Sequence, residues 1–255
     1  MSVRTGWAAA LLSAMLLAPT TGHAAPTASD VSARLEAGSR SAEDRARDAD
    51  RRPAEVIAFF EVAPGMTVID LIAAGGWYTE VLALAVGAEG KVYAQNTRFV
   101  LEMRGGVNDR AMTARLAGGR LPNVVRLDRE MSDLGIEPGS IDAAVTALNF
   151  HDIYNGRGPE AAETFLASVY NLLKPGGVLG LVDHAGGVDD DTELHRIDEA
   201  LVVEVAKRAG FEIEATSPAL RRPEDDRTRG VFSPGLRGKT DRFVLRLRKP
   251  TGSRE

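Results

Sequence analysis

The residues best suited to chemistry are three histidines, each with a carboxylate near it in the chain. NFHDIYN sets His151 beside Asp152, LVDH sets His184 beside Asp183, and His195 lies in TELHRIDEALVVEVAKRAG. An imidazole with a nearby carboxylate accepts a proton from an oxygen or nitrogen nucleophile near neutral pH, so His151 and Asp152 are the candidate catalytic pair. The plainer alternative is that these two only tie their loop together. His195 and Arg196, read as part of a helix, are expected to make structural contacts under the C-terminal segment. A metal reading gathers His151, Asp152, Asp183, His184 and the run Asp189, Asp190 and Asp191 around one ion, a nitrogen and oxygen donor set that suits zinc or manganese. No HxxxH or HxxEH spacing supports it, and an acidic run is usually a solvated loop, so no metal ligand is assigned.

A second constellation is DLIAAGGWYTE, residues 70–80. Asp70 ends an apolar run, Gly75 and Gly76 let a ligand approach the backbone, and a helix follows whose N-terminus can receive a carboxylate. A dinucleotide fingerprint needs a third glycine for close helix packing; aligning Gly75 with the second glycine puts Ala73 at the first and Tyr78 at the third, which disfavours a nicotinamide cofactor. GKT at 238–240 lacks the earlier glycine of a phosphate loop, since that position is Ser233.

The elements that must position these groups alternate. MTVIDLI, a helix at 77–86, KVYAQN, a weaker helix around 98–117, NVVRL, IDAAVTAL, a helix at 158–173, a KPGG turn, VLGLVD and a helix at 192–210 ending at Gly210 follow one another. That order demands an α/β fold with a mostly parallel sheet and helices on both faces. VLGLVD lacks polar alternation, as a strand covered on both faces should. RFVLRLRK alternates Phe243, Leu245 and Leu247 with Arg242, Arg246 and Arg248, and reads as a half-exposed antiparallel strand at the sheet edge. Ligands in such sheets bind beyond the carboxyl ends of the strands where the strand order reverses, which is where both constellations fall. Upstream, Ser41 with Asp44 reads as a helix cap over 42–52, and Pro53 opens a helix whose Val56, Ile57, Phe59 and Phe60 offer an apolar face. Residues 25–40, rich in Ala, Ser, Thr, Pro and Gly, read as a mobile lead-in.

VIDLIAAGGWYTEVLA, KVYAQN, IDAAVTALNFHDIYN and LLKPGGVLGLVDH stand in the order and spacing of the class I S-adenosylmethionine-dependent methyltransferases, which the chain resembles. RRPAEVIAFFEVAPGMTVIDL, HDIYN, LHRID and GKTDRFVLRLRKP narrow the resemblance to a bacterial group of predicted methyltransferases with signal peptides, over residues 41–250. The resemblance implies a Rossmann-like seven-stranded sheet with an antiparallel C-terminal edge region, S-adenosylmethionine as cofactor, and a small-molecule acceptor. It implies a binding role for Asp70, Ala73, Gly75, Gly76 and Tyr78 at the methionine end, and for Asn149 after the fourth strand. Asn96 or Gln95 takes the place of the family's ribose carboxylate, and Asp128 or Glu130 lies near the adenine. Trp77, Tyr78 and Phe150 either face the sulfonium or fill the core. The chain departs from the family where Gly-x-Gly-x-Gly is expected: Ile72 and Ala74 replace two of the three glycines, and Ile72 narrows the pocket or forbids a positive φ. Methyl transfer needs chiefly in-line positioning of two reactants, which these residues can supply. The departures leave a second reading, a binding protein of the same fold that has lost turnover.

The 255 residues, 44% apolar and 26% charged, exclude collagen-like and coiled-coil classes, and the absence of Cys excludes a disulfide scaffold and a thiol nucleophile. A formal charge of -5 disfavours nucleic acid as a partner. Residues 1–24 have the layout of a secretory signal peptide, with Arg4, an apolar run over residues 8–18 too short to anchor in a bilayer, Pro19, and cleavage after Ala24; export to a periplasm or beyond is expected. The remaining chain divides into the lead-in, a helical extension at 41–62, the main domain at 63–250 and a tail at 251–255. The segment 221–238 reads as a lid over the acceptor site or a long solvated loop. These patterns carry no information on oligomeric state.

Overall fold

In the computed structural model, residues 24–187 and 191–252 are described. The export signal and the pair Asp189 and Asp190 therefore lie outside the described residues, apart from Ala24 itself. The chain runs α1 (Ala28–Ala37), α2 (Ala42–Ala46), α3 (Asp48–Arg51), α4 (Pro53–Phe59), β1 (Thr67–Leu71), α5 (Trp77–Val86), β2 (Lys91–Asn96), α6 (Arg98–Leu116), β3 (Val124–Asp128) and β4 (Ile141–Ala147). It continues with α7 (Phe150–Arg157), α8 (Pro159–Leu172), β5 (Leu173–His184), α9 (Glu199–Ala209), β6 (Glu212–Ser217) and β7 (Arg242–Arg248). The seven strands form one sheet in the order β3-β2-β1-β4-β5-β7-β6. β1 to β5 are parallel and β7 runs antiparallel to both β5 and β6. The strand order reverses between β1 and β4, so their carboxyl ends open a crevice.

Both sheet faces are covered. Val68 of β1, Val92, Val145, Val182 and Val244 pack with α1, α4 and α5 on one side. Ile69 and Leu71 of the same β1 pack with α7, α8 and α9 on the other. Successive side chains of a strand point to opposite faces, so a strand buried on both is apolar except where a polar group such as Asp70 finds a partner. Gly180 in β5 is required by Phe60, whose ring occupies the space a Cβ would take.

The structure corrects several sequence expectations. Residues 25–40 are a helix over most of their length rather than a mobile lead-in. Thr27 and Asp30 close a capping box, and Val31 and Leu35, one turn apart, bury against α4 and α5. The helix expected over 42–52 is two short ones, broken at Arg47 and ended by Arg52 at φ 43°, although Ser41 does cap Asp44 N as expected. KPGG is not a separate turn but an irregularity inside β5, whose register on β4 shifts between Ile141 and Ala143. β7 is antiparallel as expected yet lies inside the sheet, with β6 at the edge. Its arginines mimic an exposed face because each finds a polar partner: Arg242 Nη2 donates to Asp50 O, and Arg246 Nη1 pairs with Glu61 at 2.9 Å. The helix expected to begin at 192 begins at Glu199, where the Asp198 carboxylate accepts from Ala200 N, so His195 and Arg196 lie in the preceding turn. Among the described residues no helix is long and apolar enough to cross a membrane.

Candidate functional site

The loop between β1 and α5 has a glycine's backbone without glycine's residues. Ile72 sits at φ 53° and Ala74 at φ 49°, both left-handed, and Gly76 follows at φ 81°. A left-handed conformation costs roughly 1–2 kcal/mol for a residue with a Cβ and is rarer still for a β-branched one. It persists here because side chains of β2 grip the loop. Gln95 Oε1 accepts from Ile72 N at 3.0 Å and its Nε2 donates to Arg129 O at 2.7 Å. Asn96 Oδ1 accepts from Ala74 N at 2.8 Å and its Nδ2 donates to Ala74 O at 3.1 Å. Both amides are fully buried. On its other side the loop meets α6: Arg115 Nε donates to Gly75 O at 2.8 Å, and a Cβ on Gly76 would strike Met112.

Asp70, at the carboxyl end of β1, is buried beside this loop and accepts from the Thr79 hydroxyl at 2.6 Å. Burial raises its carboxyl to about 7 despite the Thr79 hydrogen bonds and the positive charge of Arg51. Across the switch point, Asn149 Nδ2 reaches Leu71 O at 3.3 Å and Ile72 O at 3.4 Å, while its Oδ1 accepts from Thr146. Leu148, just before it, is also left-handed at φ 63°. Strain thus gathers at both sides of the crevice, a pattern common at functional sites.

Residues of NFHDIYN lie on α7 rather than on an open loop, with Gly158 ending the helix. The fully buried Asp183 carboxylate at the end of β5 fixes the first turn, accepting from His151 N at 2.8 Å, from His184 N at 2.8 Å, and from His151 Nδ1 at 2.7 Å. His151 Nε2 in turn stands 3.3 Å from Asp152 Oδ1, and His195 Nδ1 lies 3.1 Å from the same oxygen. Burial alone would lower the His151 imidazole, but the Asp183 charge and the hydrogen bonds of Asp152 and Asp183 outweigh it and hold it up at about 10. So held, the imidazole accepts a proton, or offers its Nε2 lone pair to an ion, only after giving up the proton it carries at neutral pH. His184, by contrast, is driven down to about 3 by burial, and its Nδ1 faces Thr240 at 2.8 Å. Asp191, expected in an acidic run beside the histidines, instead holds Gly187 N at 2.8 Å.

Other expected residues fall elsewhere. Asp128 is paired with Arg126 at 2.8 Å at the end of β3, and Glu130 is exposed beyond it. Phe150 is fully buried against Phe165 in the core. Trp77 and Tyr78 are buried in a mutual edge contact at 4.8 Å, and the Trp77 face is covered by the guanidiniums of Arg40, Arg47 and Arg51. The segment 221–238 is exposed over most of its length but is pinned at the buried Asp225, Val231 and Leu236. Arg196, fully buried, pairs with Asp225 at 2.9 Å and donates to Ala185 O and Arg229 O, while Asp225 also accepts from Asp241 N. Sequence reasoning placed His195 with the other histidines but expected of it a structural contact, and missed Phe232, whose exposed ring meets His195 at 5.0 Å. The amphipathic spacing around LHRID argued for a helix.

No family model matches the chain, and no curated protein matches it. Solved structures do. A SAM-dependent methyltransferase from Aquifex aeolicus superposes with a TM-score of 0.59 at 20% identity, covering 86% of this chain and 98% of that one. An S-adenosylmethionine-dependent methyltransferase from Mesorhizobium loti gives 0.54 at 15% identity, covering 78% and 97%. The [4+2]-cyclase SpnF gives 0.56 at 18% identity, covering 80% and 82%. The likeness at these identities is one of fold, and the three names do not share one reaction.

Proposed function

We propose that the chain is an S-adenosylmethionine-dependent methyltransferase acting on a small-molecule acceptor. The observation that carries this reading is the left-handed backbone at Ile72 and Ala74: the chain keeps, at some cost in strain, the loop shape that glycines provide elsewhere, at the strand end where such folds bind ligands. The residues present fit the cofactor at its methionine end. The first turn of α5 points its N–H groups toward the loop, and Arg47 and Arg51, both lowered by burial, add positive charge beside it, an environment that suits a carboxylate.

When bound, the cofactor supplies a methyl group on a positively charged sulfur. This chain's residues then have two tasks. Asp70, Asn149 and the strained loop orient one reactant at the ends of β1 and β4. The cluster of His151, Asp152 and His195, rimmed by Phe232, meets the acceptor at the ends of β4 and β5, so that the two reactants face each other across the switch point. Asp152, held in its charged form by its imidazole partners although burial opposes it, is the open oxygen donor of this cluster.

The second reading, a binding protein of this fold without turnover, is favoured by one observation. Asn96 is wholly engaged with Ala74 and leaves no carboxylate at the end of β2 for ribose hydroxyls. Titration calorimetry with S-adenosylmethionine and S-adenosylhomocysteine tests both. Saturable binding lost in Asp70→Ala, with the fold intact by circular dichroism, supports a cofactor site, and release of S-adenosylhomocysteine on addition of an acceptor panel supports turnover. A folded protein that gives no heat with either ligand sinks the methyltransferase reading and leaves the second, with another small ligand in the same crevice. Residues 1–24 are proposed as an export signal, for which Edman sequencing of the secreted chain should begin at Ala25.

A further inference from the structure

We propose that His151, Asp152 and His195 bind one divalent first-row transition ion of the zinc or manganese class, with Asp183 as the positioning residue behind them. His151, Asp152 and His195 each offer a ligand atom within 4.8 Å of the others, and His151 Nε2 and His195 Nδ1 stand 3.3 and 3.1 Å from Asp152 Oδ1. Ligands at about 2.1 Å from a tetrahedral or octahedral ion stand about 3.0–3.4 Å apart, so both histidine–carboxylate separations already match a shared ion.

Three further observations distinguish this cluster from an ordinary surface ion pair. The His151 Nδ1 faces Asp183 Oδ1 at 2.7 Å, and Asp183 is itself fully buried and saturated by backbone amides. A carboxylate behind the ring is the arrangement that fixes the tautomer of a ligating histidine and aims its other nitrogen outward. The two imidazoles stand edge to face at 5.6 Å with an interplanar angle of 89°, so they approach a common point from different directions. His195 is held in a left-handed conformation at φ 54°, which turns its ring into the cluster. His151 is buried while the Asp152 and His195 side chains are 60% and 42% exposed, so the open coordination positions face solvent.

Two nitrogen donors and one carboxylate favour zinc, manganese or iron over magnesium and calcium, which prefer all-oxygen sites. The donor set differs from the one suggested by the sequence. His184 is turned to Thr240, Asp191 to Gly187 N, and His195 enters from a turn that sequence periodicity assigned to a helix. The site does not depend on the methyl-transfer reading, because ion binding and cofactor binding are measured in separate titrations.

The test uses the full chain without a histidine tag, stripped with a chelator, reloaded with zinc or manganese chloride, dialysed, and analysed for metal and by titration calorimetry. The expected result is one ion per chain, weakened at least ten-fold in each of His195→Ala and Asp152→Asn, whose exposed positions leave the fold intact by circular dichroism. Cobalt-loaded protein should show visible d–d absorption that disappears in His195→Ala. Retention no greater than in a protein-free control, affinity equal to the parent's in both variants, or equal binding of calcium and magnesium would overturn the proposal.

Discussion

Asn96 holds Ala74 from both sides: its Oδ1 accepts from Ala74 N at 2.8 Å and its Nδ2 donates to Ala74 O at 3.1 Å. One buried amide side chain thereby satisfies both polar groups of a residue in left-handed conformation, and a carboxylate in its place would lose the donor. Asn96→Asp is expected to destabilise the fold by about 2 kcal/mol, since it leaves one carbonyl unpaired against a charge. Urea unfolding checks this as a lower midpoint with unchanged slope; a variant as stable as the parent would mean the loop does not depend on this grip.

Relief of backbone strain should separate the two left-handed positions. Ala74→Gly removes a cost of roughly 1–2 kcal/mol and adds roughly 0.5–1 kcal/mol of unfolded-state entropy, so a gain up to about 1.5 kcal/mol is expected. Ile72→Gly gains the same relief but loses the contacts of a side chain packed against the core, and a net loss is expected. Thermal unfolding of the two variants should therefore shift in opposite directions.

Asp70 makes stability depend on pH with a definite sign. Its carboxyl is raised by burial from 3.8 to about 7 in the folded chain, so between those values the native state holds a proton the unfolded chain has lost. Stability from this group is greatest below about 4 and falls as pH rises to about 7, a change on the order of 4 kcal/mol. His184, lowered by burial to about 3, acts with opposite sign in nearly the same window, so the parent curve is flattened. In Asp70→Asn the falling contribution is gone, and stability should climb with pH over 4–7. Urea midpoints that run parallel in parent and variant across this range would contradict the assignment.

The pair Arg196–Asp225 anchors the 221–238 segment. Both side chains are almost wholly buried, so Asp225→Ala leaves an uncompensated guanidinium and is expected to cost about 3–5 kcal/mol. Limited proteolysis should then cut within 221–238, where the parent resists. Equal resistance in the two proteins would show that the segment is held by its apolar contacts at Val231 and Leu236 instead.

Local pattern and chemistry in the sequence were enough for the alternation of strands and helices, the parallel sheet, the antiparallel C-terminal strand, and the placing of Asp70, Asn149 and His151 at strand ends. Those features follow from periodicity and from connections that have only one favourable hand. The sequence did not determine what each polar group faces. Asn96 and Gln95 resemble ligand contacts until the folded chain shows them closing on Ala74, Ile72 and Arg129. The arginines of β7 look solvent-facing until Glu61 and Asp50 arrive from elements almost two hundred residues away. His195 joins His151 only because the turn before α9 is pinned between β5 and a C-terminal segment by Arg196 and Asp225. Hydrogen bonds and ion pairs are short-ranged and directional, so which of them form is decided by tertiary proximity, and local spacing along the chain does not encode it.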